Sequence, residues 1–481
     1  MESIWSKDTK ISPRPSLMED IKTETVVIGG GLAGCLIAMR LEEMGIPAVV
    51  LEAAQIGSGQ TKNTTAKITS QHGLIYDKLQ QSFGRERAKQ YADYNQAAIA
   101  AYRNLIAKRQ IDCQWEERDA YLYSRTEQEP LKREMEAARQ AGIDASFHET
   151  TALPFSVKGA VRFGGQAQFH PLQFLDAITK DLTIYENTRV QTVEDNQVIT
   201  PKGTVTAEHI VFATHFPFIN VPGYYFMRMH QERSYVLALS EAPQLHGMYL
   251  GIDENEGYSF RNAGDLLLLG GGKHRTGENR KGDSYDDLLR RAVQWFPAGR
   301  EVARWSAQDC MTLDGVPYIG PFSADASARW YVATGFQKWG MTSSMVSAMI
   351  LSQWIATGDC PNADVFSPKR FTPVASAKSF LQEGAHAVKD LTKRIFAPPR
   401  ATLDALPLGH GGVVEVDGEK VGAYKDETGN IFLVSVRCPH LGCQLEWNPA
   451  EKSWDCPCHG SRFDFHGKLL DGPAEGDADH A

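Results

Sequence analysis

The chain has 481 residues and a net charge of −9, with 42% hydrophobic and 23% charged residues. This length exceeds one ordinary hydrophobic core and predicts two or three folding units, and the balanced composition argues against disorder. The negative charge disfavours nucleic acid or an anionic membrane as a partner. We expect no membrane span, because no apolar run reaches about 18 residues, and a cytoplasmic location, because the N-terminus lacks a signal-peptide pattern.

The first predicted elements form a βαβ unit over residues 24–52. A short apolar strand at 25–28 runs into the glycine turn GGGLAG at 29–34, and a helix over 33–44 follows. The second strand of the unit ends at Glu52. This arrangement predicts a dinucleotide site, because the N–H groups and the positive dipole end of a helix N-terminus attract a pyrophosphate.

Each glycine of this GxGxxG motif has a physical role in such a site. Gly29 permits the tight turn, Gly31 lets the backbone approach the pyrophosphate, and Gly34 lets the helix pack closely on the strand. Glu52 is placed to accept hydrogen bonds from a ribose, which favours FAD or NAD over NADP. The motif alone does not distinguish FAD from NAD, and a glycine-rich turn of some other α/β protein is the alternative.

The remaining elements indicate two unlike parts of the chain. Predicted in order are a helix over 78–110, short strands within 182–215, a strand at 266–269, a strand at 330–334 and a helix over 342–355. A helical pattern over 376–396, ended by Pro398-Pro399, predicts a helical linker over 372–400. Strand and turn patterns then predict a small all-β domain over 401–481.

Several motifs beyond Glu52 occur in a recognisable order. They are GSGQT at 57–61, NTTA at 63–66, FGG at 163–165, HP at 170–171, IVFAT at 210–214, TLDGVPYIG at 312–320 and ATGF at 333–336. Together they resemble the D-amino-acid oxidase / glycine oxidase / sarcosine oxidase family of flavoproteins, over about residues 22–371. The resemblance favours FAD as the dinucleotide.

This resemblance implies an α/β FAD-binding domain of the Rossmann-like, glutathione-reductase type, interleaved with a substrate domain built on an antiparallel sheet. An N-terminal extension is expected at 1–22, the FAD part at about 23–80, 160–220 and 305–371, and the substrate part at about 81–159 and 221–304. In the family, the late glycine segment returns to the flavin ring. The residues expected to bind FAD are Gly29, Gly31, Gly34, Glu52, Thr61, Thr64, Thr65, Val190, Ala213, Gly340, Met341 and Thr342.

The family's usual chemistry is hydride removal from the C–N bond of an amine or amino acid, and the flavin carries it. The candidate substrate residues are Arg233, Tyr258, Arg261 and His274, since they lie in stretches that usually form the substrate domain. A carboxylate substrate favours an arginine fork, for which Arg261 or Arg233 is available, although a structural role for each is the alternative. Cys310 is out of register with the cysteine that binds flavin covalently in some sarcosine oxidases, so we expect a buried free thiol.

Four of the eight cysteines fall within residues 438–458. In a chain without a signal-peptide pattern, such a cluster indicates metal chemistry before a disulfide scaffold. Cys438-x-His440 and Cys456-x-x-His459 offer two thiolates and two imidazoles, which is the mixed ligation of a Rieske [2Fe–2S] centre. The same residue set also suits a Cys₂His₂ zinc site.

The segments CPHLGC at 438–443 and CPCHGS at 456–461, with Gly472-Pro473, resemble the Rieske family. The resemblance implies that Cys438 and Cys456 bind the inner iron and that His440 and His459 bind the outer, solvent-facing iron. It also implies a loop-clamping disulfide of the respiratory type, with two free thiols as the alternative. The expected disulfide pair is Cys443 and Cys458.

The potential of the cluster is expected within the Rieske range of about −150 to +300 mV. Ser461 occupies the position whose hydroxyl raises the potential of respiratory Rieske proteins by hydrogen bonding to the cluster. Two residues on, those proteins carry a tyrosine hydroxyl, whereas this chain has Phe463. We therefore expect a potential below the respiratory maximum.

The fusion of a flavin domain with a Rieske domain predicts an enzyme that accepts two electrons at the flavin and passes them on one at a time through the cluster. In this it is similar to bacterial Rieske-containing flavoproteins of the glycine-oxidase-like type. A small amine or amino-acid-like substrate would reduce FAD, and the cluster would pass electrons singly to an external acceptor. The alternatives are electron flow from an external donor through the cluster to the flavin, and a non-enzymatic redox sensor or electron-transfer module. No second GxGxxG in a βαβ setting offers an NAD(P)H site.

Overall fold

The computed structural model describes residues 2–254, 257–279, 282–323, 329–370 and 401–479. The predicted linker helix over 372–400 lies outside the described residues. Two eight-stranded sheets form the larger part of the molecule, and two four-stranded sheets form the C-terminal part. The predicted fold class is confirmed, with an α/β dinucleotide-binding fold, a second large sheet and a C-terminal β domain.

The first large sheet contains the predicted βαβ unit. Its parallel centre places Ile21–Ile28 between Gly203–Phe212 and Ala48–Leu51. The outer strands are Thr192–Glu194, Gln197–Thr200, Thr183–Tyr185, Trp330–Thr334 and Tyr318–Pro321. The helix Leu32–Glu43 follows the glycine turn, and the carboxyl ends of the three central strands meet at that turn. This is the edge of a parallel sheet at which α/β proteins bind their ligands.

The second large sheet is antiparallel except where Gly247–Gly251 pairs in parallel with Asp119–Ser124. Its strands, in spatial order, are Arg300–Thr312, Met229–Ser240, Leu266–Arg275, Ser259–Ala263, Gly247–Gly251, Asp119–Ser124, Gly159–Phe163 and Ala145–His148. A small three-stranded sheet consists of Lys67–Ile68, Ala167–Gln168 and Glu116–Glu117. The strand segments of the second sheet alternate along the chain with those of the first, so the two parts are interleaved.

The helices cover the sheets, and Leu32–Glu43 and Gly340–Thr357 lie where helices were predicted over 33–44 and 342–355. The helix predicted over 78–110 is divided into Ile75–Phe83 and Arg85–Arg109. Gly84 separates them with a φ of +85°, a left-handed conformation that costs glycine little and breaks a helix. The other helices are Ile4–Asp8, Glu129–Gln140, Pro171–Thr179, Ser284–Trp295 and Gly340–Thr357. Within the described residues, no helix is both long and apolar enough to span a membrane.

The C-terminal domain consists of two small sheets around a buried aromatic core. One sheet contains Ala401–Thr402, His410–Val416, Glu419–Lys425 and Ile431–Ser435, and the other contains Glu446–Asn448, Ser453–Asp455, Arg462–Asp464 and Leu469–Asp471. Trp454 is fully buried and pairs across strands with Phe463. The Cys and His motifs lie in the loops that precede and follow the second sheet's first two strands, so the sheet presents both loops on one side.

Candidate functional site

A cavity of about 930 Å³ brings together residues of both large sheets and of the C-terminal domain. Its volume lies at the upper end of the range of about 300–1,000 Å³ that is typical of ligand and cofactor pockets. The wall combines the glycine turn of the first sheet, strands of the second sheet and residues 470–475 of the C-terminal domain. All the residues predicted to bind FAD line it except Gly34 and Thr342.

The glycine turn is packed tightly on one side and open on the other. A Cβ on Gly34 would lie 1.9 Å from the carbonyl oxygen of Gly29, and a Cβ on Gly29 would lie 2.4 Å from that of Ala213. In contrast, the first atom that a Cβ on Gly31 would meet is Thr61 Oγ1, at 3.4 Å. The turn therefore leaves space above the N-terminus of the helix, as a bound pyrophosphate requires.

Glu52 is held at the cavity wall by backbone groups. Its two carboxylate oxygens accept hydrogen bonds from the N–H groups of Gly30, at 2.7 Å, and Ala54, at 2.8 Å. Burial raises the pKa of Glu52, and these two N–H groups oppose that shift. The carboxylate is thus fixed in position at the end of the second strand, where it would accept hydrogen bonds from the hydroxyl groups of a ribose. The geometry fits the adenosine end of FAD.

The remaining predicted FAD residues line the cavity, except Thr342, which is buried outside the lining. Thr61 Oγ1 accepts a hydrogen bond from the N–H of Leu32 in the first helical turn. Thr342 lies behind the wall and bonds the backbone N–H and carbonyl of Thr69, at 3.0 and 2.9 Å. It therefore ties the start of the helix Gly340–Thr357 to the segment that follows the small sheet.

The four candidate substrate residues all lie in the described part of the chain, and none of them lines the cavity. Arg233 pairs with Glu451 of the C-terminal domain, and His274 Nε2 lies 3.0 Å from the hydroxyl of Tyr235. The Tyr258 hydroxyl donates to Asp287 at 2.6 Å. These side chains are engaged by other protein groups, so the wall offers other residues to a substrate.

Arg261, the fourth candidate, supports the cavity from behind. Its guanidinium donates to the carbonyl oxygens of Thr65 and Ala66, both at 2.9 Å, and lies 5.3 Å from the ring centre of Trp5. The indole of Trp5 in turn donates to the carbonyl of Thr64 at 2.7 Å. The N-terminal segment and Arg261 together fix the backbone of the NTTA motif.

The cavity wall contains a cation that sequence reasoning missed. Lys67 follows the NTTA motif directly, and its Nζ donates to the carbonyl of Tyr249, at 2.9 Å, and to Ser259 Oγ. Burial, and then the nearby Arg261, lower the pKa of Lys67 to about 7. Among the described residues, both hydrogen-bond partners of Lys67 are neutral, and they use two of the three N–H groups of the ammonium form.

A second lysine of the wall is neutralised by carboxylates. Lys338 Nζ lies 3.1 Å from Asp309 and 3.2 Å from Glu232. Burial alone would lower the pKa of Lys338, but Asp309 and Glu232 raise it. Lys338 is therefore a fixed ion-paired part of the wall, whereas the two hydrogen-bond partners of Lys67 among the described residues carry no charge.

In the C-terminal domain, the four predicted metal ligands converge. Cys438 and Cys456 are buried, and the rings of His440 and His459 lie 4.9 Å apart at 89° to one another. Among the described residues, neither histidine has a hydrogen-bond partner for its buried Nδ1 atom. Buried ring nitrogens are rarely left without a partner, so two such atoms beside two thiols fit a bound iron–sulfur cluster.

The other two cysteines of the cluster are not available as ligands. Cys443 and Cys458 form a disulfide, which confirms the expected pairing and clamps the two ligand loops together. Ser461 is fully buried beside these loops, and its Oγ accepts a hydrogen bond from the N–H of Ala474 at 3.0 Å. Cys310, far from this cluster in sequence, is a buried free thiol, as expected.

The two histidines face the larger part of the molecule. His440 Nε2 lies 3.2 Å from Asn220 Oδ1, and the ring of Phe226 lies 6.5 and 5.8 Å from the rings of His440 and His459. The outer-iron side was expected to face solvent, but here it is partly covered by the loop that follows Gly203–Phe212. The two candidate cofactor sites therefore meet at one interface.

Comparison with known proteins agrees with both sites. Residues 24–354 match the family model described as FAD dependent oxidoreductase (DAO), and residues 400–479 match that of the Rieske [2Fe–2S] domain. The chain is 37% identical to Bacillus subtilis YhfW, whose name describes a Rieske 2Fe–2S iron–sulfur protein, over 98% of this chain and 96% of that one.

Two further proteins resemble the larger part of the chain. Gamma-glutamylputrescine oxidoreductase of Escherichia coli is 24% identical over 74% of this chain and 89% of its own. The structure of glycine oxidase from Geobacillus kaustophilus superposes with a TM-score of 0.61 at 18% identity, covering 73% of this chain and 99% of that one. The structural match confirms the predicted fold. With a cradle that fits FAD and a loop pair that fits a [2Fe–2S] cluster, the chain belongs to the FAD dependent oxidoreductase (DAO) family and carries a C-terminal Rieske domain.

Proposed function

We propose that this protein is a dehydrogenase that oxidises the C–N bond of a small amine or amino acid and passes the electrons singly to an external acceptor. The observation that carries the proposal is the shared wall. Residues 470–475 of the Rieske domain line the same cavity as the glycine turn and Glu52. FAD would accept a hydride from the substrate, and the cluster would carry electrons away one at a time.

The names of two related proteins support the choice of substrate class. Glycine oxidase and gamma-glutamylputrescine oxidoreductase are both named for compounds that contain an amino group. In the present cavity, Lys67 and Ser259 would bind an anionic group of the substrate, because the partners of Lys67 among the described residues are neutral and take two of its three N–H groups. Orienting the substrate in this way would place its C–N bond for hydride removal.

The residues proposed to hold FAD are those of the glycine turn and the surrounding wall. Gly29, Gly31 and the helix that follows would bind the pyrophosphate, and Glu52 would bind the ribose. The segment from Gly340 to Thr342 would lie at the flavin end. We also propose the domain limits predicted above, with the substrate part at about 81–159 and 221–304 and the Rieske domain at 401–481.

The Rieske ligands are proposed as Cys438 and Cys456 on the inner iron and His440 and His459 on the outer iron. The protein orients the two imidazoles by packing them against Phe226 and by the contact with Asn220. Cys443–Cys458 would keep the ligand loops closed when the cluster changes its oxidation state. The external partner is proposed to be a one-electron carrier.

The test is an anaerobic titration of the full-length protein with both cofactors. Candidate amines and amino acids are added while flavin absorbance and the EPR signal of the reduced cluster are followed. The proposal predicts that a substrate bleaches the flavin and that the cluster signal then grows. If no amine or amino acid reduces the flavin but a reduced cluster does, electrons enter through the Rieske domain. If neither route reduces the flavin, the redox-sensor alternative is favoured.

A further inference from the structure

Two buried glutamines stand between the cavity and the Rieske ligand loops. Gln231 and Gln308 lie on the neighbouring strands Met229–Ser240 and Arg300–Thr312, and both line the cavity. Their exposed fractions are 1% and 0%. Buried amides are costly unless all of their polar atoms find partners, so the partners of these two side chains indicate what the site requires.

The amide protons of both glutamines are directed towards the Rieske domain or towards each other. Gln231 Nε2 donates to the carbonyl of His459 at 2.7 Å and to that of Gly472 at 2.9 Å. Gln308 Nε2 donates to the carbonyl of Gly460 and to Gln231 Oε1, both at 2.8 Å. Each amide group has two protons, so all four are used in this network.

The contact with Gly460 is close. Gly460 has a φ of +88°, and a Cβ at this position would lie 2.6 Å from the Cβ of Gln231. A larger residue would displace either the loop or the glutamine. His459 is the preceding residue, so the backbone that carries this cluster ligand is fixed directly against a side chain of the cavity wall.

We propose that Gln231 and Gln308 are positioning residues for electron transfer between the flavin site and the cluster site. They hold the His459–Gly460 backbone at a fixed distance from the cavity. The side chain of Gln231 connects the wall to the ligand residue His459 through one hydrogen bond. The rate of electron transfer falls steeply with separation, so a looser contact slows it. This inference rests on the proposed function for the direction of electron transfer from flavin to cluster, but the positioning effect applies to electron transfer in either direction.

The electron balance of the step is simple. A hydride, which is one proton with two electrons, would pass from the substrate carbon to the flavin while the amine nitrogen loses a proton to solvent, and the reduced flavin would release its proton to solvent when it is reoxidised. The cluster held by the Cys and His ligands would take one electron at a time, and an external one-electron acceptor would remove that electron before the second one follows. The glutamines take no part in bond making, and they act only through the geometry of the two sites.

The experiment uses full-length holoprotein with the substitutions Gln231→Met and Gln308→Met, which keep side-chain length and remove the amide. The flavin is reduced by an anaerobic light pulse, without substrate, and cluster reduction is followed by absorbance and rapid-freeze EPR. We expect each variant to slow electron transfer between the cofactors by about tenfold or more, since small displacements of reacting groups cost large factors in rate. The EPR spectrum of the cluster should stay that of an intact Rieske centre.

Asn279→Leu is the matched control. Asn279 Nδ2 also donates across the interface, to Asn448 Oδ1 at 3.2 Å, but Asn279 is outside the cavity wall, and its partners Tyr235, Asn448 and Gly282 lie outside the ligand loops. This variant should keep the wild-type transfer rate.

If Gln231→Met fails to fold, Gln231→Glu keeps the shape of the side chain and removes both hydrogen-bond donors. Transfer at the wild-type rate in the glutamine variants, or equal slowing in Asn279→Leu, overturns the proposal. Because no substrate is used, a failed search for a substrate leaves this test unaffected.

Discussion

Arg233 of the second large sheet and Glu451 of the Rieske domain form a buried ion pair across the domain interface. Arg233 Nε lies 3.0 Å from Glu451 Oε2, and the side chains are 3% and 8% exposed. Arg462 contacts the same carboxylate at 3.2 Å and also pairs with Asp455 at 3.0 Å. Paired charges in a buried network are expensive to separate, so this interface holds the Rieske domain against the cavity in a defined position.

Removing one charge of this pair should weaken the attachment of the Rieske domain. Glu451→Gln leaves Arg233 buried without its main counter-charge, and we expect a loss of about 3–5 kcal/mol in the free energy of unfolding. Urea unfolding followed by the visible absorbance of the cluster measures it. Glu427→Gln is the control, because Glu427 is 71% exposed and pairs with Lys452 at 3.7 Å. The free energy of unfolding of Glu427→Gln should fall by less than about 1 kcal/mol. Equal losses in both variants would contradict the role of Arg233.

The same carboxylate predicts a pH dependence. Burial alone would raise the pKa of Glu451, but Arg233 and Arg462 lower it to about 2 from a usual value of 4.5. A pKa that is lower in the folded state means that this stabilisation is fully present above about pH 4.5 and is lost as the pH falls towards 2. The difference in unfolding free energy between wild type and Glu451→Gln should therefore shrink over this window. A constant difference would show that the charge of Glu451 is not the cause.

Lys67 is expected to recognise an anionic group of the substrate. Lys67→Met should raise KM for carboxylate-bearing substrates by about ten- to a hundredfold, because a charge-assisted hydrogen bond contributes about 1.5–3 kcal/mol. Amines without a carboxylate should show little change. Lys273→Met, at an exposed cavity-lining lysine, is the control and should leave KM near that of wild type. Equal changes in KM for substrates with and without a carboxylate would contradict this role of Lys67.

The low pKa of Lys67 gives this recognition a pH profile. Burial and Arg261 lower the pKa to about 7, so the ammonium form predominates below pH 7 and the neutral amine above it. Binding of a carboxylate competitor should therefore weaken as the pH rises through 7. Titration of the flavin spectrum with the competitor measures this, and the Lys67→Met variant should show no such step.

The potential of the cluster is expected to respond to Phe463. This side chain is fully buried and belongs to the hydrophobic core that also contains Cys438 and Cys456. Phe463→Tyr adds a hydroxyl near the cluster, and we expect a higher reduction potential by protein-film voltammetry. Phe465→Tyr, which packs against Tyr424 and His466, is the control and should leave the potential unchanged. An unchanged or lower potential in Phe463→Tyr would contradict the expectation.

The sequence allowed prediction of features that depend on local patterns. Gly29, Gly31 and Gly34 have a fixed spacing between a strand and a helix, and the Cys and His ligands have a fixed spacing within two loops. The break at Gly84 was missed because the flanking residues favour a helix on both sides, and only the positive φ of the glycine reveals the interruption. Local patterns thus predicted the two cofactors and the residues proposed to hold them.

Contacts between distant residues were outside the reach of such patterns. Arg233 and Glu451 are 218 residues apart, so nothing near Arg233 indicated that its guanidinium would be used at the domain interface. Lys67 was missed for a related reason, because a single lysine after a polar motif is usually solvent-exposed. Its proposed role depends on the fold, which brings Ser259 of the second sheet to its side chain.

The central claim is that electrons pass between flavin and cluster within one chain, across the interface that Arg233, Gln231 and Gln308 form with the Rieske domain. The most direct measurement is the rate of cluster reduction after anaerobic flavin reduction, at a series of protein concentrations. We expect a first-order rate constant for cluster reduction that is the same at every protein concentration. An observed rate constant that rises in proportion to protein concentration would show that electrons pass between molecules. This result would contradict electron transfer within one chain.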